Sequence, residues 1–201
     1  MHKKITPRDK TELREKIMQS AMENFAKHGF DRTRMEDIAT AAGLAKGTLY
    51  LYFKNKEDLF YAICDHNLEE LRNQLSRLFN RKENIILDAE RFYDEYQKGS
   101  LGGDTIWFEM IALSTRSPKL KKILAENQRK VYQVVKEFLK KQIDRGFLTE
   151  DIDIDIVAST LIALYNGLVI NKLLLQISNS ESQKAWVQTI RALIGTEATK
   201  Q

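Results

Sequence analysis

Hydrophobic positions recur at helical spacing along most of the chain. Leu13, Ile17, Ala21 and Phe25 fall four residues apart and predict a first helix from about Lys10 to His28. Gly29 ends it, and Phe30 can fold back onto its last turn. Met35, Ile38, Ala39 and Ala42 form a second, shorter stripe. Thr33, with Glu36 three residues later, reads as a capping box at its start. Gly43 closes it where the backbone needs a left-handed residue, and Leu44 opens the turn. A third helix follows with Leu49, Tyr52 and Phe53 inward. Two short helices broken by a glycine, with inward anchors and a small Ala39 at the crossing, are the sequence image of a helix-turn-helix over residues 33–52.

The pattern continues in longer elements. Asn55 can cap a helix with Glu57 and Asp58 in its first turn; Leu59, Ile63, Leu71, Leu75 and Leu78 carry it to about Phe79. A polar break at Arg81 to Asn84 precedes Ile85, Ala89, Phe92, Tyr93 and Tyr96. The run from Gly99 to Gly103 stops that helix, and Asp104 can cap a short apolar one. Ser117-Pro118 starts a long helix that ends at Gly146, with Leu120, Ile123, Leu124, Val131, Val135, Phe138, Leu139 and Gln142 on its face. Asp151, Asp153 and Asp155 crowd the start of an eighth helix that is apolar nearly all round. The last helix is expected from Ser180 or Ser182, with Ala185, Trp186, Ile190, Leu193 and Ile194.

Composition agrees with an all-α protein. The 201 residues include only two prolines and nine glycines, with 43% hydrophobic and 30% charged residues. Residues 1–56 hold 12 Lys+Arg against 7 Asp+Glu, whereas the remainder holds 20 against 21. The net charge of +4 therefore comes from the segment with the helix-turn-helix, where a nucleic-acid footprint belongs. Cys64 is the single cysteine, and His2, His28 and His66 are scattered. There is thus no disulfide framework, metal set or cofactor motif, and neither a phosphate loop nor a nucleophile motif suggests an enzyme. The acidic cluster at 151–155 lacks the other ligands and glycine of a calcium loop. No signal peptide is visible, so a cytoplasmic location is expected. The apolar run from Ile156 to Leu175 is interrupted by Thr160, Asn166, Asn171 and Lys172, which favours a buried helix over a membrane span.

The stretch FAKHGFDRTRMEDIATAAGLAKG (25–47) and the run AKGTLYLYFKNKEDLF (45–60) resemble the DNA-binding region of the TetR family of one-component transcriptional repressors. The resemblance is close over about residues 11–65 and architectural beyond. It implies a TetR-like all-α fold: a basic arm at 1–9, a DNA-binding domain at 10–56, a connecting helix at 57–79, a ligand-binding and dimerisation domain at 80–195, and a tail at 196–201. It also implies a homodimer on a palindromic double-stranded operator, released by a small-molecule effector of apolar or aromatic character. A ligand-independent DNA-binding protein and an activator are the alternatives.

Operator contacts are expected at Thr33, Arg34, Ala45, Lys46, Gly47, Thr48, Tyr50, Leu51, Tyr52, Lys54 and Lys56. The third helix exposes Ala45, Lys46, Thr48, Tyr50 and Leu51 once its anchors are buried; Gly47 lets backbone approach a phosphate, and the lysines bracket the helix with cations. Ala45 stands where many relatives carry serine or threonine, so neither a cap nor a polar contact is available there. For the effector, aromatic walls with a few polar atoms nominate Phe92, Tyr96, Trp107, Met110, Ile111, Asn127, Tyr132, Tyr165 and Asn166. Trp107, Pro118 and the close at Arg145-Gly146-Phe147 resemble the AcrR and BetI type of ligand domain. The dimer interface is expected at Ala163, Gly167, Ile170, Trp186 and Ile190, on the last two long helices.

Overall fold

The computed structural model describes residues 7–79, 85–99 and 103–194, and every regular element among them is an α-helix. In chain order they are α1 (Pro7–His28), α2 (Met35–Ala41), α3 (Lys46–Tyr52), α4 (Lys56–Leu78), α5 (Ile85–Gly99), α6 (Gly103–Ser114), α7 (Pro118–Asp144), α8 (Ile154–Leu175) and α9 (Asn179–Ile194). The expected arm is shorter than 1–9: Pro7 already opens α1, a first-turn position where its missing N–H costs nothing. Residues 1–6 of the arm, the polar break at 81–84, the middle of the glycine run at 100–102 and the tail at 196–201 lie outside the described residues.

Several helix boundaries follow the expected chemistry. The Asn55 side chain accepts from the Asp58 N–H at 2.8 Å to cap α4, and Ser117 Oγ accepts from the Leu120 N–H to cap α7. Asp153 accepts from the Asp155 and Ile156 N–H groups at the start of α8. At α9 the cap is Ser178 rather than Ser180 or Ser182. Its Oγ accepts from the Glu181 N–H, and the Glu181 carboxylate accepts from the Ser178 N–H, a complete capping box. The Ser178 bonds hold the Glu181 carboxyl below its ordinary range.

The chain divides into two compact units. The first comprises residues 1–67 and 101–125, the second residues 68–100 and 126–201. The core of the first unit joins Ile17, Ala21, Phe25, Ile38, Leu49, Leu59 and Ile63 with Ile106 and Met110 of α6 and Leu120, Ile123 and Leu124 of α7. Full burial of each such side chain is worth about 1.5–3 kcal/mol. Helix α6 and the start of α7 thus pack with the helix-turn-helix, although the sequence assigns them to the C-terminal domain. In the second unit, α5 and α9 pack together and α8 packs on α9. Leu71, Leu75, Phe79, Phe92, Tyr93, Val134, Leu168, Trp186 and Ile190 form one cluster there; Leu139, Leu148 and Ala158 form another.

Candidate nucleic-acid interface

Phe30 is the pivot of the first unit. Its ring packs on Phe25 (centroids 4.9 Å apart) and Phe60 (6.2 Å), and its N–H donates to Glu109 Oε1 of α6 at 2.8 Å. Gly29 is required by its backbone, and a side chain there would also press on Glu109. Its φ is +82°, and a Cβ there would lie 3.1 Å from the same Glu109 oxygen. Gly43, at φ +67°, turns the chain from α2 toward α3.

Two expected contributors have internal duties instead. Thr33 is 2% exposed, and its hydroxyl donates to the Gly29 carbonyl at 2.8 Å, with the Asn24 carbonyl 3.2 Å away. It neither caps α2 nor offers a side chain to DNA. The N-cap is Arg34, whose N–H donates to Asp37 Oδ2 at 2.9 Å. An arginine side chain cannot accept, so only this half of a capping box exists. Lys56 donates to the carbonyls of Phe30 (2.6 Å) and Asp31 (2.9 Å), with its ammonium 4.8 Å from the Phe30 ring centre. It ties the α1–α2 loop to α4.

The outer face of α3 is otherwise as the sequence describes. Ala45 precedes the helix with extended backbone and no side-chain cap. Ala45, Lys46, Gly47, Tyr50 and Leu51 are exposed, as are Arg34 and Lys54, while Thr48 and Tyr52 are half-buried. Leu49 is fully buried and anchors the helix, and Tyr52 packs on the same core. Leu51, an apolar side chain 84% exposed at the end of a short helix, has no folding reason to be there. A Cβ at Gly47 would meet nothing within 4 Å. Sequence reasoning missed Glu36, whose carboxylate forms an ion pair with Lys46. This bond pulls the Glu36 carboxyl below its ordinary range and raises the Lys46 ammonium. Lys46 also lies over the Tyr50 ring, 5.8 Å from its centre.

The nominated effector residues do not all come together. Phe92, Tyr96 and Tyr165 do, with Tyr93 and Trp186, in the second unit. Phe92 stacks on Tyr96 at 5.3 Å, Tyr96 meets Tyr165 edge-on at 5.3 Å, and Trp186 reaches Tyr93 at 5.9 Å and Phe92 at 6.2 Å. Tyr132 donates to Ser159 Oγ at 3.2 Å in the neighbouring cluster, and Asn127 and Asn166 are half-buried. Trp107, Met110 and Ile111 belong to the first unit. Met110 is completely buried in the helix-turn-helix core, Trp107 packs against that core, and Ile111 is exposed. In the second unit the buried Gln74 Oε1 and Ser182 Oγ have no hydrogen-bond partner among the described residues.

The interface residues divide likewise. Trp186 and Ile190 are buried within their own protomer, and the Trp186 indole N–H donates to the Ala89 carbonyl at 2.9 Å. They are core rather than contact surface. Helix α8 departs from the expected buried helix. It is long and apolar enough to cross a membrane by length and composition, but only 22% of its most apolar stretch is buried. Ala158, Leu168 and Val169 face inward, whereas Ala163, Ile170, Leu173, Leu174 and Leu175 are exposed and Gly167 is half-buried.

Comparison with known proteins bears on these features. Residues 17–63 match the family model described as bacterial regulatory proteins, tetR family, and residues 105–197 match that of the BetI-type transcriptional repressor, C-terminal. YfiR, an HTH-type transcriptional regulator of Bacillus subtilis, is 23% identical over 200 residues, covering 94% of this chain and 97% of its own. A TetR-family transcriptional regulator from Rhodococcus sp. superposes with a TM-score of 0.76 at 21% identity, over 92% of this chain and all of that one. SmeT, solved as a complex with triclosan, gives 0.68 at 21% identity over 93% and 94%. A helix-turn-helix whose outer face carries side chains the core does not need, with one family model over residues 17–63 and a second over residues 105–197, makes this chain a member of the TetR family of DNA-binding transcriptional regulators.

Proposed function

We propose that the protein is a homodimeric repressor that binds a two-fold-related operator through α3 and releases it when a small molecule occupies the second unit. The observation that carries the dimer is the pattern along α8. Ile156, Thr160, Ala163, Gly167, Ile170 and Leu174 follow one another at alternating steps of four and three residues, the spacing of a helix–helix seam. Ile156, Ala163, Ile170 and Leu174 are exposed on this stripe while Ala158 and Leu168 face the protomer's own core. A second copy of the same helix would cover it.

The ligand reading rests on the five-ring cluster, on the buried Gln74 and Ser182 oxygens of the same unit that have no partner among the described residues, and on the likeness to SmeT. Buried polar atoms without partners are rare, and leaving one unsatisfied costs about 1–3 kcal/mol. A largely aromatic molecule with a hydrogen-bond donor would suit them. The repressor role accords with the description of the C-terminal family model.

Selection of tight-binding duplexes from a random pool tests the reading, together with sedimentation of the protein alone. The expected outcome is an inverted repeat, with half-sites centred about 34–36 Å or a multiple apart, bound by a species of twice the chain mass. A monomer that binds a single asymmetric site tightly would overturn it.

A further inference from the structure

The ion pair between Glu36 and Lys46 sits beside the outer face of α3, joining the first turn of α2 to the first residue of α3. Both partners are open to solvent, with the Lys46 side chain 60% and the Glu36 side chain 46% exposed. Exposed pairs of this kind contribute little to stability, so folding gives the contact no evident purpose. Its placement is also unusual for the helix. Lys46 lies at the positive end of α3, where a cation is disfavoured, and Ala45 provides no cap there. The carboxylate from α2 supplies the compensating charge, and the Tyr50 ring flanks the ammonium within the same helix.

We infer that Glu36 is a specificity-determining residue: it holds Lys46 neutralised against random DNA and yields it only when α3 is seated on its preferred sequence. The inference rests on the DNA-binding reading of α3. A cation adds to sequence-independent affinity by displacing condensed counterions from phosphates. A lysine paired with a carboxylate brings no net charge to the duplex, so in a loose complex the phosphate's attraction for Lys46 is offset by its repulsion of Glu36. Seating α3 in the major groove, with Thr48, Tyr50 and Leu51 against base edges, brings Lys46 close enough for the phosphate or base edge to displace the carboxylate. The closed pair thus weakens wrong complexes more than the right one, which is how discrimination by a repulsive element works.

The test measures affinity against salt for the parent, E36Q, K46Q and E36Q/K46Q, each on a selected operator and on random duplex of equal length. Parent binding to both duplexes, with a preference for the operator, checks the underlying reading before any variant is compared. E36Q should melt like the parent. On random DNA it should bind roughly fivefold to tenfold more tightly per protomer at 0.1 M salt, and its slope of log affinity against log salt should steepen by about 0.9 per protomer. On the operator it should gain much less, so the preference for operator falls. In E36Q/K46Q the gain on random DNA should vanish, because Lys46 is what Glu36 was withholding. Equal gains on both duplexes that survive in the double variant would make Glu36 a plain repulsive charge and overturn the inference. Unchanged affinities and slopes in E36Q would overturn it as well.

Discussion

At the scale of the residue, the DNA face separates side chains that serve the fold from side chains that do not. Gly47 lies in the first turn of α3 with open space where a Cβ would go and no positive φ. Glycine weakens a helix relative to alanine by up to about 1 kcal/mol, less at a terminus, and nothing in the protomer requires it here. G47A should therefore leave the melting temperature unchanged or raise it, yet weaken operator binding at least tenfold if backbone meets a phosphate at this point. A titration of operator with G47A alongside its thermal melt checks both halves. Lys56 makes the opposite case. Its place after the motif suggests a phosphate contact, but its ammonium already serves two loop carbonyls and the Phe30 ring. K56A should cost about 1–3 kcal/mol in denaturant unfolding, since it takes a charged donor from the part-buried Phe30 carbonyl. A stable K56A with a shallower salt slope would instead restore the phosphate role. Thr33 shows why such roles are hard to read in sequence. Thr33 with Glu36 and Arg34 with Asp37 both have the spacing of a helix start. Only the carbonyls of Asn24 and Gly29, met through the fold, show that Thr33 is buried and that the helix begins one residue later.

At the scale of the element, periodicity located the helices because each apolar stripe is a local property, whereas what covers a stripe is not. The sequence nominates Met110 of the short apolar α6 for the effector site, but the structure packs it in the helix-turn-helix core. That pairing depends on contacts such as the Glu109–Phe30 bond, which spans 79 residues of chain. Trp107 and Met110 were accordingly read as effector-site residues and were illegible as anchors of the first unit. The same limit applies to α8. Uniform apolarity fits a buried helix, a membrane span and a helix shared between two copies, and local pattern does not choose among them. Burial on one side and the four–three stripe on the other favour the shared helix. Gly167 gives a clean probe, because a Cβ there meets nothing in the protomer. G167L should keep the helical content of the parent, and relieving an interior glycine adds up to about 1 kcal/mol to the helix. It should nonetheless shift sedimentation toward the monomer by overpacking the seam, a cost of about 1–3 kcal/mol. A fully dimeric G167L would place the interface elsewhere.

At the scale of the whole molecule, the chain carries two tryptophans, and the structure gives one to each compact unit. Trp107 packs against the core that holds α3, and Trp186 lies in the aromatic cluster of the second unit. Helices α4 and α7 each run through both units, so the chain offers two continuous covalent routes for a ligand to influence α3. A regulator needs more than two binding sites; it needs a coupling free energy between them, typically about 1–3 kcal/mol and equal in both directions. The two indoles allow the sites to be watched separately. In W107F, emission from Trp186 reports occupancy of the second unit directly; in W186F, emission from Trp107 reports the DNA-binding core alone. Small aromatic molecules with a hydrogen-bond donor are suitable first probes. A true effector should change Trp186 emission in W107F and should also change Trp107 emission in W186F, although it touches nothing in that unit. Its affinity should fall fivefold to 150-fold when operator is bound, and operator affinity should fall by the same factor when the ligand is saturating. A ligand that perturbs Trp186 but leaves Trp107 and operator affinity untouched would show occupied but uncoupled units, and release by that ligand would be excluded.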